Sequence, residues 1–590
     1  MLHAIHPIPE PDLQRALRSL TDTDLLYVRG IAPDASYQFK HALIRDAAYE
    51  ALLKSRRKEL HLTVARCIDA GFPSIKETHP EVLARHWTEG GEHEPAIAAW
   101  SEAGERALRR EANREAAQNY RAAIKLLPTL DDVRRCVLLY SLGRAQRRAG
   151  EPIMAHESLC SSGAIAERLL KPELVVDAAL ELVRLTFTVG LPGEAAVQLL
   201  ERALIMVERT DSTLRARILS GLSNVLGVTG QRERAIALGE QGIAMSRRLG
   251  DTDTLISSLN AMAYSLQEPQ DLDRQLACLK EALELCASQS FFEDELGEIQ
   301  AKFSRTLHEA GDLVRSDAEF KAWTKIGDTR ERPFHQCIIA GRGAARALMR
   351  GDFEQSQKLA QAALNIGQRL RADNVAAGQY GLQMFALERE RGRLKELEPL
   401  VRMFVQQNLA AETWRPGLAI IYSELNRSTE ARAEFERLAC QNFTDIPRDG
   451  LWMGTMTFLA DVCVSLGDKL RAAVLYDHLS PFDGRNVVVG YEVVFYGALS
   501  RYLGALATTL ERWDDAIRHF EAALATNARM EAWTWLAHTQ FQYADMLLVR
   551  GRSIDRERAF ALLDSAVATT RLLGMRALEE KASALLNRQS

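Results

Sequence analysis

Residues 140–169 read YSLGRAQRRAGEPIMAHESLCSSGAIAERL, and the apolar spacing of this stretch decides the fold. Leu138, Leu142, Ala145 and Ala149 fall on one side of a helix that stops at Gly150. Met154, Ala155, Leu159 and Ile165 do the same beyond it. A glycine ends the first helix because a residue without Cβ adopts the left-handed C-cap conformation at little cost. The expectation is two amphipathic helices joined by a tight turn, neither able to bury its apolar face alone.

The unit recurs. Turn residues follow Gly150 at Gly190, Gly230, Asp271, Gly311, Gly351 and Gly392, in steps of 40 or 41. They continue at Asn426, Gly467, Arg512 and Gly551, in steps of 34, 41, 45 and 39. A fixed period of this size marks a solenoid, in which each repeat packs only on its neighbours. Asp follows the glycine at 312, 352 and 468, where its carboxylate can accept from the free N–H groups of the next helix. The reading is all-α: a superhelix of antiparallel helix pairs from about residue 80 to 586.

The pairs resemble tetratricopeptide repeats (TPRs), which place Leu-Gly on the first helix and Ala, an aromatic and Ala on the second. Leu503, Gly504, Ala516, Phe520 and Ala523 fit that pattern. Around Gly90 the matches are Leu83, Trp87, Ala96, Trp100 and Ala103. Around Asn426 they are Leu418, Tyr422, Ala431 and Phe435, and around Gly467 they are Leu459, Ala472 and Tyr476. The Gly230 unit keeps Leu222 and Ala235 but has Gly239 where the aromatic belongs. The forty-residue period exceeds the usual 34 of this repeat, which implies longer helices.

Composition sets the outer limits. At roughly 150 residues per domain the length suggests about four domains, a count that the repeat replaces with one solenoid. The 590 residues are 47% hydrophobic and 26% charged, which excludes a disordered or collagen-like chain. A formal charge of −5 argues against a chain-wide grip on nucleic acid. The eight cysteines are scattered without knuckle or redox spacing, so a reduced, cytoplasmic setting is expected. Met1–Pro11 carries His and Pro where a secretion signal has its apolar run. Val487–Leu503, the most apolar late stretch, contains Glu492 and Arg501 and is too short and polar to span a bilayer.

The first sixty-nine residues follow another pattern. Leu13, Leu17 and Leu20 lie on one face of a short helix, LLYVRG and SYQFKH read as two strands joined by the loop Ile31–Ala35, and a basic helix runs from about His41 to Asp69. Helix, hairpin and helix make the end of a winged helix. The stretch YQFKHALIRDAAYEALLKSRRKELH (37–61), the following residues 80–127, and the late stretches 459–490, 501–530 and 536–551 resemble bacterial STAND-type signalling ATPases linked to class III adenylate/guanylate cyclases. LuxR-type regulators share their ATPase and tail. The resemblance implies the order cyclase, ATPase, winged helix, TPR-like tail, with residues 1–69 a partial winged helix and 80–586 the tail. The phosphate loop of such an ATPase needs Gly-Lys, and that dipeptide occurs nowhere in the chain. The expectation is a chain without enzymatic activity of its own and without a cofactor. It is a truncated reading frame, a split partner of a cyclase–ATPase half acting in cis or in trans, or a standalone sensor arm.

Several residues carry candidate roles. By resemblance His41 contacts the β-phosphate of bound nucleotide in related ATPases; the alternative is that it caps its helix or packs under the wing. Lys54, Arg56, Arg57 and Lys58 form a basic patch on the same helix, within a segment (37–66) holding seven basic and three acidic residues. DNA phosphates could meet that patch, although a solvated face is the ordinary fate of a charge run. His79, His86 and His93 are seven apart, nearly two helical turns, too far to share one zinc. Arg144, Arg147 and Arg148, with Asp461 and Arg501 further on, are placed to line a groove for an acidic peptide; solvated arginines are the alternative. The insertion PFDGRNVVVG (481–490) reads either as a partner-binding loop or as a packed, strand-like connector. A protein or peptide partner, or a small effector, is expected in the groove. A membrane is not, and nucleic acid is disfavoured.

Overall fold

The computed structural model describes residues 2–6, 8–30, 35–189, 192–287, 293–328, 333–370, 373–407 and 411–589. The chain divides into two compact units, Met1–Leu185 and Thr186–Ser590. Both consist mostly of helices packed pairwise in chain order. Among the described residues no helix is long and apolar enough to cross a membrane.

The first unit opens with helix Glu10–Asp22 and a hairpin of β1 (Leu26–Arg29) and β2 (Ser36–Phe39), antiparallel with Leu26 opposite Phe39. Most of the loop expected at Ile31–Ala35 lies outside the described residues. The single basic helix expected from His41 is two helices, Ala42–Glu50 and Lys54–Gly71. No Gly or Pro marks the break, because packing sets it. Lys54–Gly71 buries Ala65 and Ile68 with Leu83, Ala84 and Trp87 of the helix Pro80–Gly90. Ala42–Glu50 buries no residue. It folds back so that Tyr49 Oη lies 3.0 Å from His61 Nε2.

The forty-residue period appears as left-handed turns. Gly150, Gly230, Gly311, Gly351, Gly392, Asn426, Gly467 and Gly551 all have positive φ, as the cap chemistry requires. Three details differ. The turn expected at Arg512 is made by Glu511, which takes φ 58°. The turn at Asp271 is a 3-10 helix, Pro269–Asp271. Gly190 lies outside the described residues. Asp312, Asp352 and Asp468 each accept from the backbone N–H three residues on, at 3.0–3.1 Å.

Within a pair, the first helix meets the second at a spacing of sixteen residues. A methyl group placed on Gly504 would lie 3.0 Å from the Phe520 ring, and one on Gly104 only 2.7 Å from Tyr120. The same spacing joins Gly143 to Leu159. In the Gly230 unit the sizes are small on both sides: Gly239 faces Ser223, and Met262 of the next helix fills the gap left by the missing aromatic. The Gly104–Tyr120 contact also shifts the first frame. Helix His93–Arg109 is the first helix of a pair with Asn113–Leu126, closed by Glu111 at φ 59°. The frame drawn around Gly90 is therefore offset by one helix, although its residues still pack. Leu83, Trp87, Ala96 and Ala103 are buried, and the half-buried Trp100 donates from Nε1 to Thr88 at 2.9 Å. The later packing residues Tyr422, Ala431, Phe435, Leu459, Ala472, Tyr476, Leu503, Ala516, Phe520 and Ala523 are all buried.

In the second unit the insertion is a packed hairpin. Strands β3 (Asn486–Val489) and β4 (Val494–Ala498) pair antiparallel, with an irregularity between Asn486 and Val488. Every residue of both strands is buried. The hairpin touches helices Glu293–Glu309, Pro333–Arg350, Asp373–Glu390, Trp452–Leu466, Leu499–Thr509, Trp513–Arg529 and Trp533–Arg550. The helices of this unit thus close around a segment of their own chain.

Candidate functional site

The site lies where the hairpin tip meets the first helices of two repeats. Lys302, Arg305 and His308 stand on helix Glu293–Glu309, and Arg342 and Arg346 on Pro333–Arg350. The three- and four-residue spacings put each set on one helix face. Tip residue Glu492 enters this basic surface and is fully buried. Its Oε1 lies 2.9 Å from Arg346 Nη2 and 2.7 Å from His308 Nδ1, and Arg342 Nη1 is 3.8 Å from Oε2. Burial pushes the Glu492 carboxyl up, but Arg346, the His308 hydrogen bond and Arg342 outweigh it and bring it down to about 2. A buried carboxylate needs such paired, charge-assisted bonds to stay ionised.

The remaining contacts hold the hairpin around its turn at 490–493. Gln383 Nε2 donates to the Val493 carbonyl at 3.0 Å, and Asn486 Nδ2 to the His308 carbonyl at 2.8 Å. Phe495 stacks on His308 with centroids 4.6 Å apart. Tyr491 meets Tyr264 edge to face, and Gln267 Nε2 lies 2.8 Å from its hydroxyl. Lys302 Nζ sits 3.4 Å from the centre of the Tyr264 ring. Burial lowers Lys302 to about 7, with Glu298 and Glu295 opposing that fall. An open cleft of about 480 Å³, lined in part by Arg448, His478, Phe482 and Arg485, flanks the base of the hairpin.

The residues expected to line a groove are engaged in other ways. In the first unit Arg147 Nε lies 2.7 Å from Glu181 Oε2, and Arg144 Nε 3.8 Å from Oε1. Both point at a buried carboxylate of the next repeat, not at open solvent. Burial pushes Glu181 up, but Arg147, Arg184 and Arg144 bring it down to about 2. Arg148 also has an interaction partner. In the second unit Arg501 is 1% exposed, so it lies in the core and not on a groove wall. It lies 3.6 Å from Asp461 and donates to Gln542 at 2.9 Å. Asp461 is also 3.0 Å from Arg389, which reaches Glu424 at the same distance.

The N-terminal candidates are not brought together. His41 is the N-cap residue of Ala42–Glu50, is exposed, and makes no side-chain cap bond. The basic patch is on the following helix, not on the helix of His41. There Arg56 pairs with Glu59 at 2.7 Å and Arg57 lies over the Tyr49 ring, while Lys54 and Lys58 are exposed. Among the described residues no group of three or more His, Cys, Asp or Glu could hold a metal ion.

Sequence reasoning missed His308, Arg342, Arg346 and Glu492. One signal was available: Arg305 lies six residues before Gly311, as Arg144 lies six before Gly150. Lys302 lies nine before Gly311, as Arg342 lies nine before Gly351, so carrying such offsets from turn to turn would have pointed to the basic faces of both helices.

No family model matches the chain, and no curated protein does. Among the solved structures similar to this chain are two at 15% identity. One is a Signal Transduction ATPase with Numerous Domains (STAND) protein with a tetratricopeptide repeat sensor from Pyrococcus horikoshii, with TM-score 0.31, covering 65% of this chain and 60% of that one. The match therefore spans less than two thirds of the STAND chain's length. The other is the APC/C hetero-tetramer Cut9–Hcn1, with TM-score 0.36, covering 82% of this chain and 96% of that one. At these scores neither likeness assigns a function.

Proposed function

We propose that this chain is a non-catalytic signalling scaffold that binds a protein segment on the inner helices of a TPR-like superhelix. One observation carries the reading: those helices already hold a segment of the chain, the hairpin 486–498, through a Gln383 side-chain bond to its backbone, an Asn486 side-chain bond to the His308 carbonyl and a charge-paired carboxylate. A surface built this way recognises peptides by the same means. No cofactor takes part. The test is turnover and binding by the purified full chain. The expected result is no ATP hydrolysis and no cyclic-nucleotide synthesis, together with saturable binding of a purified protein partner. Turnover by the chain alone would overturn the reading.

A second reading follows from residues 37–61 and the helix–hairpin–helix order of the first unit. The chain is the regulatory half of a cyclase–ATPase, with residues 1–69 a partial winged helix and residues 80–586 the tail. His41 would then face nucleotide only in the presence of an ATPase half. The test is the DNA preceding the Met1 codon: a phosphate-loop ATPase in frame or one shift away supports this reading, and an unrelated gene removes it. Contact of Lys54, Arg56, Arg57 and Lys58 with DNA is the weakest alternative, and a gel shift without salt-sensitive binding closes it.

A further inference from the structure

The basic face that receives Glu492 offers more donors than one carboxylate uses. Arg342 and Arg346 are each 4% exposed and His308 is fully buried. Arg342 Nε, Arg346 Nε and His308 Nε2 have no hydrogen-bond partner, and neither has Glu492 Oε2. Lys302 and Arg305 stand on the same helix as His308. Two further carboxylates serve this face, Glu309 against Arg305 at 3.2 Å and Asp317 against Arg346, and Arg342 Nη1 donates to the Ala301 carbonyl. The tip also carries the hairpin's exposed ring. Tyr491 is 43% exposed, whereas Val494, Phe495 and Tyr496 are 0–2% exposed. Glu492 takes φ 65°, a left-handed conformation that a residue with a Cβ adopts only under constraint. The strands can therefore stay packed while residues 490–493 move.

We propose that Gly490–Val493 is a resident stand-in for an acidic partner peptide, and that Arg346, His308 and Arg342 are that peptide's carboxylate site. The stand-in gives the chemistry of the segment it imitates. An aromatic residue precedes a carboxylate, the ring lies against Tyr264 and its hydroxyl near Gln267, and the carboxylate enters between Arg346 and His308. The partner is a protein segment with an aromatic–acidic pair, bound when the tip swings out. This deepens the scaffold reading and rests on it.

The test uses the full chain and a labelled peptide with the tip's own sequence, Val-Val-Gly-Tyr-Glu-Val, beside the same peptide with Gln for Glu. Glu492→Gly removes the carboxylate and suits the left-handed backbone. It should bind the Glu peptide at least ten-fold more tightly than the native chain does, and ten-fold more tightly than it binds the Gln peptide. Adding Arg346→Met should abolish that gain. Equal binding of both peptides, or binding indifferent to Arg346, would overturn the site. Binding of phosphate or acetate at Arg346 with no peptide binding would also overturn it. Hydrogen exchange on the native chain guards against misfolded variants: excess Glu peptide should speed exchange at 490–493 alone, and no change there counts against displacement. If these fail while a purified partner still binds elsewhere, the scaffold reading stands and only this site falls.

Discussion

Glu181 in the first unit and Glu492 in the second are both buried carboxylates held by inner-helix arginines, but they arrive by different routes. Glu181 comes from the very next repeat, 34 residues after Arg147. Glu492 comes from a hairpin inserted 184 residues after His308. In the first unit the solenoid neutralises its own arginines with its periodic neighbour. In the second, repeats also supply their own carboxylates, Asp317 to Arg346 and Glu424 to Arg389, but a further one comes from a segment outside the repeat. The comparison teaches that the periodic neighbour serves single arginines in both units, and that the hairpin adds a carboxylate where His308, Arg342 and Arg346 of two repeats converge.

Five changes would break or sharpen that contrast. The largest effect is expected from Phe495→Ala, which empties a fully buried ring site against His308. It should cost about 3–5 kcal/mol, seen as early melting of the second unit with the first unchanged. Next come Glu492→Gln, which takes the carboxylate from Arg342 while Arg346 keeps Asp317, and Glu181→Gln, which takes it from Arg147, each at a cost of about 3 kcal/mol. Both carboxyls sit near 2 in the fold against an ordinary 4.5. Their stabilisation is therefore complete above about pH 4.5 and is lost as pH falls toward 2, and each Gln variant should lose that part of the acid dependence in its own unit. Equal melting of both variants and the native chain at pH 7 would mean that the carboxylates do not hold the inner faces.

A smaller change of opposite sign is expected at Lys302. Its folded value of about 7 lies below the ordinary 10.5, so its charge opposes folding. Stability from this site is lowest at and below neutral pH and rises toward 10.5. Lys302→Met should stabilise the second unit by about 1–3 kcal/mol at pH 6 and hardly at all at pH 10.5. The smallest effect lies in the first unit, where His61 Nδ1 and His86 Nδ1 are 2.9 Å apart. Burial, then His61 and Arg85, lower His86 to about 4. Stability from the pair is present above about 6.5 and declines as pH falls toward 4, and His86→Gln should flatten that decline in a series of melts.

The pair architecture was legible because its signals are local. Turn residues, capping Asp at 312, 352 and 468, and the Gly504–Phe520 contact all lie within one forty-residue window. The offset around Gly90 arose because helix His93–Arg109 satisfies both a second-helix and a first-helix pattern, and only Gly104 against Tyr120 decides between them. The break at residues 51–53 left no Gly or Pro to read. Least legible was the destination of the hairpin. Residues 481–498 showed that the period slips, but bonds from Glu492 to His308 and from Val493 to Gln383 cross 184 and 110 residues and leave no periodicity. Glu181, by contrast, lies one repeat beyond Arg147, and comparing adjacent units would have paired it with Arg144 and Arg147.

Hydrogen–deuterium exchange across residues 486–498 of the full native chain tests the central claim most directly. If the hairpin occupies the inner face, the amides of β3 and β4 exchange as slowly as those of helix Pro333–Arg350, and only 490–493 exchange faster. Exchange of the whole segment at the rate of exposed loops would contradict the account, because an inner face that does not hold its own hairpin offers no ground for reading it as a peptide-binding surface.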